Sequence, residues 1–387
     1  MDKENKYILW LILVSATLTI MAGSVIAPVL NLMREGLNVD PASVGLIITT
    51  HGLLIALFSP LMGSMIDKIG PKRPYAFGLI LYGLAGGSGL LINSYWMLIV
   101  SRAVLGIAVA AFFNAITVLI LNMYEGEERN KVMGWRGSTN SLGGVLWPLI
   151  GGFLGSFSWH LPFAVYVIGI PLGFLGFIAV PEIHQGKAPE EVKETTVLKV
   201  FRSNPILIAI YGFMFMTNIF LYVIVIFLPQ RIEKIGITEP LYIGLFIAAM
   251  TFSAGLTSFN YSRIKSKLSY KMIFLLTLAL WAVGFVTISK TSMILLILFS
   301  LAFFGVGQGM IFPTIPLWIG ELVPVSFRGR FSSYIGTSGF IGQFLSPIIF
   351  APVLILLGLK GVFLVVAVIC ALLFLTIIIR LGNSTTY

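Results

Sequence analysis

Charge is scarce in this chain. Asp, Glu, Lys and Arg make up 10% of its 387 residues, against about 25% in a soluble domain. That is too little to cover a water-facing surface. Cysteine is nearly absent as well. Cys370 stands alone, which excludes an intrachain disulfide, and no ligand spacing suits a metal. The alternating pattern of barrel strands is missing. So is the Gly-x4-Gly-Lys-(Ser/Thr) loop of a nucleotide-driven pump. No small-residue cleavage site follows the first apolar stretch, so that stretch reads as a retained span.

What is present is apolar length. Hydrophobic residues are 58% of the chain, with a mean hydropathy of +0.99. A membrane helix needs about 20 apolar residues. Twelve stretches qualify: 7–32, 43–66, 74–93, 96–122, 130–154, 160–180, 204–228, 240–260, 270–289, 292–318, 329–357 and 361–380. The expected fold is all-α and integral to the membrane, with twelve transmembrane helices. The polar stretch 181–203 divides them into six-helix bundles at 1–180 and 204–387. Its mixed charge reads as a solvated linker with room for a surface helix.

The net charge of +10 could suggest a nucleic-acid partner, but its distribution argues otherwise. With the N-terminus inside, nineteen of the 25 Lys and Arg residues fall in inner segments, Arg136 among them. Five fall outside and Arg102 lies within a span. The positive-inside rule then puts both termini in the cytoplasm, and the membrane implied is the plasma membrane.

The halves resemble each other at an offset of 199 residues. Gly106 corresponds to Gly305, Arg129 to Arg328, Lys131 to Arg330, Gly143 to Gly342 and Pro148 to Pro347. Two six-helix halves in parallel repeat describe one transporter architecture, with substrate between the halves.

The loop at 63–73 carries the most specific signal. It holds Gly63, Asp67, Lys68, Gly70, Lys72 and Arg73. Gly63 allows a close helix approach and Gly70 a tight turn. Asp67 can sit against a helix N-terminus or pair with a base. The pattern resembles the signature loop of the major facilitator superfamily, Gly-x-x-x-Asp-(Arg/Lys)-x-Gly-x-(Arg/Lys)-(Arg/Lys). The resemblance is to the twelve-helix drug:proton antiporter branch. It implies two pseudo-symmetric bundles and a cytoplasmic latch in which Asp67 meets the start of the eleventh helix near Arg328. The equivalent loop, 262–271, has Ser266 and Ser269 in place of the acid and the second glycine.

Arg102 with Gly106 resembles the family's fourth-helix motif, which implies a part in proton transfer. An arginine that snorkels to the outer interface is the plainer alternative. Gly134, Gly143, Trp147, Pro148, Gly151 and Gly152 resemble the antiporter motif of the fifth helix, except that Trp147 replaces a glycine. That motif implies export. Generic glycine packing, or a wall of the substrate path formed by Trp147, are the alternatives.

None of the fifteen acids falls at the centre of a span. This argues against a dedicated exporter of cations and for neutral, lipophilic or anionic substrates. His51 is the only histidine well inside a span. It is either a proton-coupling group or a neutral hydrogen-bonding group between helices. Asn114, Asn140, Gln308 and Gln343 could line a cavity or join helices.

The function expected is secondary transport by alternating access, as proton-coupled efflux of small organic compounds. Import or facilitated passage of a sugar, organic acid or other metabolite is the alternative. No convergent acid, base or metal constellation suggests an enzyme. No cofactor is expected. The partners expected are a small-molecule substrate, protons and membrane lipid, with the chain acting as a monomer.

Overall fold

A computed structural model describes residues 3–182, 197–323 and 328–382. Among these residues the chain is helical and forms no strand. The first half contains α1 (Lys3–Ser24), a short turn leading to α2 (Leu30–Gly36), then α3 (Leu46–Ile69), α4 (Lys72–Gly87), α5 (Tyr95–Met123), α6 (Gly126–Gly155) and α7 (Gly169–Ala179). A 3-10 run, Leu161–Ile168, leads into α7. A short helix, α8 (Val197–Ser203), precedes the second half. That half contains α9 (Ile206–Glu233), α10 (Pro240–Phe259), the short α11 (Tyr261–Lys265), α12 (Tyr270–Lys290), α13 (Ile294–Leu322) and α14 (Arg328–Gly382).

Among the described residues, nine segments are long and apolar enough to cross a membrane. Their relation to the twelve expected spans has a simple origin. α4 runs for only 16 residues. α6 opens on charged residues and glycines, which dilute its hydropathy. The last segment, Tyr334–Ile379, is counted once although it has 46 residues. At 1.5 Å per residue that is about 70 Å, more than twice a hydrocarbon core of about 30 Å. It breaks at Gly358, whose φ of 67° suits glycine. This is the point at which the sequence separated 329–357 from 361–380.

The helices pack in a repeated pattern. α3 lies on α5 as α10 lies on α13, and α4 lies on α5 as α12 lies on α13. The repeat extends to individual contacts. A Cβ placed on Gly106 would lie 2.4 Å from the carbonyl oxygen of His51, and one on Gly305 would lie 2.2 Å from that of Met250. His51 and Met250 are themselves 199 residues apart. In a lipid solvent, burying apolar surface gives little drive to helix association, so backbone approach over small residues matters more. Large apolar side chains accordingly point outward, Leu91, Phe259 and Ile178 among the most exposed. Cys370 is buried, as its apolar surroundings suggested.

Candidate functional site: the seam between the halves

The two halves meet along two helix pairs, α3 with α14 and α6 with α10. The end of the bundle that carries Gly70 is called here the motif end, and the opposite one the far end. At the far end the seam is tight. A Cβ on Gly45 would meet Pro347 at 3.1 Å, and one on Gly244 would meet the oxygen of Pro148 at 2.5 Å. These two contacts are exchanged by the 199-residue repeat. On α6, a Cβ on Gly152 would lie 2.7 Å from the Pro240 oxygen and one on Gly144 would lie 2.5 Å from Thr251, both across the seam. Gly151 faces the other way, toward the backbone of Val25 in its own half, where a Cβ would lie 1.7 Å from an oxygen.

Polar groups complete this closure. Asn31 donates through Nδ2 to the Pro229 oxygen at 2.9 Å, and Gln230 donates through Nε2 to the Pro41 oxygen at 3.1 Å. Asn31 and Gln230 are repeat equivalents. Arg34 pairs with its own equivalent, Glu233, at 2.9 Å. That pair therefore straddles the axis relating the halves. A fourth contact breaks the symmetry: the Gln343 amide meets His51 Nε2 at 3.2 Å, both residues being 2% exposed. The positions equivalent to His51 and Gln343 are Met250 and Gly144, which cannot form that bond.

Toward the motif end the helices part. A Cβ on Gly255 of α10 would still meet Ser141 of α6 at 3.6 Å. Nearer the motif end, no described atom lies within 4 Å of a Cβ placed on Gly137 or Gly134, on Gly63 of α3 or on Gly336 of α14. The close approach expected at Gly63 and Gly134 is therefore not made in this conformation. The seam is a wedge, closed at the far end and open at the motif end.

The loop at the motif end has the expected turn. α3 ends at Gly70, with φ 78° and its N–H bonded to the Ile66 oxygen. Lys68 is exposed and Lys72 half-buried. Arg73 meets Glu182 at 3.5 Å in an exposed pair. Asp67 lies in α3 and Arg328 opens α14, but both side chains lie outside the described residues. The equivalent loop folds differently. It breaks into α11, Ser266 bonds back to the Arg263 oxygen at 2.9 Å, and Ser269 caps α12 by accepting from the Met272 N–H at 3.3 Å.

Arg102 does not snorkel. It is fully buried, with its guanidinium 4.9 Å from the Phe163 ring centre and 4.8 Å from that of Tyr166. Nη2 reaches the Gly86 oxygen at 3.4 Å, while Nε and Nη1 have no partner among the described residues. Trp147, the departure from the antiporter pattern, donates through Nε1 to the Thr17 oxygen at 3.2 Å. It joins α6 to α1 where a glycine would have left a gap. Asn114 joins helices, donating to the Ala110 oxygen at 2.7 Å and reaching Ser59 at 3.5 Å. The Oδ1 of Asn140 is buried without a partner among the described residues. Gln308 is 6% exposed and no bond links it to the other three.

Two sets of residues escaped the sequence reading. Asn31, Arg34, Gln230 and Glu233 were in reach of it, because the 199-residue register, carried back into the first span, pairs them. Arg136 requires a correction. It was counted among the bases of an inner segment, but it lies within α6, 8% exposed. It shares a helical face with Gly143 and Trp147, two and three turns on, which was the available signal.

Comparison with known proteins now decides the family. The model of the Major Facilitator Superfamily matches residues 12–264 and 222–385. The chain belongs to that superfamily. It is a membrane transporter and not an enzyme. It is 25% identical over 353 residues to the bacillibactin exporter of Bacillus subtilis (strain 168), covering 86% of each chain. It is 29% identical over 163 residues to the quinolone resistance protein NorA of Staphylococcus aureus (strain MRSA252), covering 42% of this chain and 41% of that one. The fold matches a bacterial homologue of the human lysosomal transporter Spinster with a TM-score of 0.78, 14% identity and coverage of 99% and 98%. It also matches a D-xylose-proton symporter with a TM-score of 0.78, 14% identity and coverage of 95% and 96%.

Proposed function

We propose that this chain exports small organic compounds, neutral, lipophilic or anionic, by alternating access coupled to inward proton flow. The observation that carries this reading is the wedge, sealed at the far end by Asn31, Arg34, Gln230 and Glu233 and open around Gly63 and Gly134. The bias of Lys and Arg toward the motif end supports a cytoplasmic placement of that end. The wedge then takes up cargo from inside the cell, and both termini are cytoplasmic in a plasma-membrane protein. The chain acts as a monomer whose bundles 1–180 and 204–387 move against each other, with 181–203 as the tether. Relatives named as an exporter and as a resistance protein support the outward direction.

Arg102 and His51 are the candidates for proton coupling. His51 sits on the closure itself, so gaining a proton would alter its bond to Gln343. Asp67 and Arg328 are proposed as the latch of the opposite state, in which the motif end closes. Gly63, Lys68, Gly70, Lys72 and Arg73 shape that loop.

Import by the same fold is the second reading. Trp147 favours it, since it removes one glycine of the pattern that implies export. Everted vesicles separate the two. An imposed proton gradient, acidic inside, should drive uptake of a cargo compound, and uptake only under the reverse gradient would overturn the export reading. His51→Gln is the narrower test: unchanged proton dependence would remove His51 as a coupling group.

A further inference from the structure

Arg136 is a buried cation that none of the roles above uses. It lies ten residues into α6, on the motif-end side of Ser141 and next to Gly137, which no described residue approaches. Its guanidinium is held from one side only. Nη1 donates to the Thr117 hydroxyl at 2.8 Å, and the guanidinium carbon lies 4.9 Å from the ring centre of Phe113, both residues on α5. Among the described residues, the ion pairs are Arg34 with Glu35 and Glu233, and Arg73 with Glu182. None involves Arg136. One turn deeper on α6, Asn140 keeps a buried Oδ1 without a partner among the described residues.

A charge taken out of water is expensive unless it is paired, and a hydroxyl with a ring face is a modest substitute for a carboxylate. The repeat offers no structural reason for the charge, because the equivalent position is Ile335. A cation that helps neither symmetry nor ion pairing, set at the depth where the wedge opens, has no counter-ion among the described residues. A planar guanidinium suits carboxylate, sulfonate or phosphate oxygens.

We propose that Arg136 is the anion-recognition group of the transport path, and that the cargo bears a carboxylate or a comparable oxyanion. The proposal rests on the transporter reading of the wedge and narrows its substrate class. The Nδ2 donor of Asn140 would turn toward the anion, and Phe113 supplies an apolar wall for the body of the compound.

The test is equilibrium binding by the purified full-length protein. Three fluorescent anions, a carboxylate, a sulfonate and a phosphate, are each compared with an uncharged analogue. The wild-type protein should bind at least one anion about ten-fold more tightly than its analogue, the scale of one good charged contact. Arg136→Gln should erase that preference, and Arg136→Lys should keep part of it. Thermal melting without ligand separates recognition from structure. Arg136→Gln should melt at or above the wild-type temperature, because it removes an uncompensated charge. The proposal falls if no anion is preferred, if the preference survives Arg136→Gln, or if that variant melts well below wild type. Binding needs neither a gradient nor a direction, so failure of proton-driven export would leave this result standing, and the reverse also holds.

Discussion

The same two helix pairs run through the far end and the motif end of the seam, yet one end, where α2 and α9 add their ties, is sealed and the other open. At the far end, closure uses two means at once. Glycines let backbones meet at Gly45, Gly152 and Gly244, and a ring of donors ties the halves at Asn31, Arg34 and Gln230. At the motif end the glycines are present but no described residue touches them. The lesson is that glycine spacing marks where helices are able to approach, while polar cross-ties mark where they do so in a given state. A transporter of this kind needs glycines at both ends and cross-ties that can exchange.

The comparison can be broken most severely at the glycines. Gly152→Ala combined with Gly244→Ala would push methyl groups against the Pro240 and Pro148 oxygens. Overpacking of this kind costs about 1–3 kcal/mol per site. Transport should fall by more than ten-fold, and far-end cysteine labelling should rise in a Cys370→Ser background. Wild-type labelling would refute the close approach as the seal.

A smaller effect is expected at the axis pair. Arg34 and Glu233 are 19% and 24% exposed at their side chains, so the pair is worth about 1 kcal/mol. Glu233→Gln should shift the balance toward a far-end-open state by a few-fold. The exchanged double variant Arg34→Glu, Glu233→Arg should restore it. Failure of the double variant to recover would mean that the two charges act separately.

The motif end is sharpened by Asp67→Asn. If Asp67 latches the opposite state, this variant should leave far-end closure intact and slow the return from it, with little change in substrate affinity. Labelling of cytoplasmic-side cysteines would register the change, and an unaltered pattern would remove the latch role.

The smallest effect is acid sensitivity at the far-end turn. Partial burial would raise the Asp40 carboxyl, but bonds from the Ser43 side chain and from the N–H groups of Ser43 and Ala42 outweigh it and hold the group below its ordinary value of 3.8. A depressed folded value stabilises the turn above the unfolded value, and this is lost as pH falls through the folded one. The turn positions the Pro41 oxygen that Gln230 binds. Far-end labelling should therefore rise only below about pH 4, and Asp40→Asn should remove that rise.

Much of this architecture was legible in the sequence. Apolar length gave the spans, and the break between the last two fell at Gly358. The 199-residue register gave the repeat, and its extension from Gly106 and Gly305 to their carbonyl partners is a direct consequence. The site was legible only in part. Sequence placed His51 and Gln343 within spans, but their meeting depends on how two helices cross. Arg136 was hidden because charge alone reads as loop, and α6 begins with ten residues rich in charge and glycine. The asymmetry of the two loops was visible at Ser266 and Ser269. Their capping roles, by contrast, depend on where α11 ends and α12 starts.

The central claim is that the two ends of the seam open in alternation. Spin-label distances test it directly, with one pair across the far end at Asn38 and Lys234 and another across the motif end at Ser138 and Phe259, in the Cys370→Ser background. The account predicts two populations at each pair with opposite dependence, so that conditions lengthening the far-end distance shorten the motif-end one. Distances that stay fixed, or that lengthen together, would contradict it.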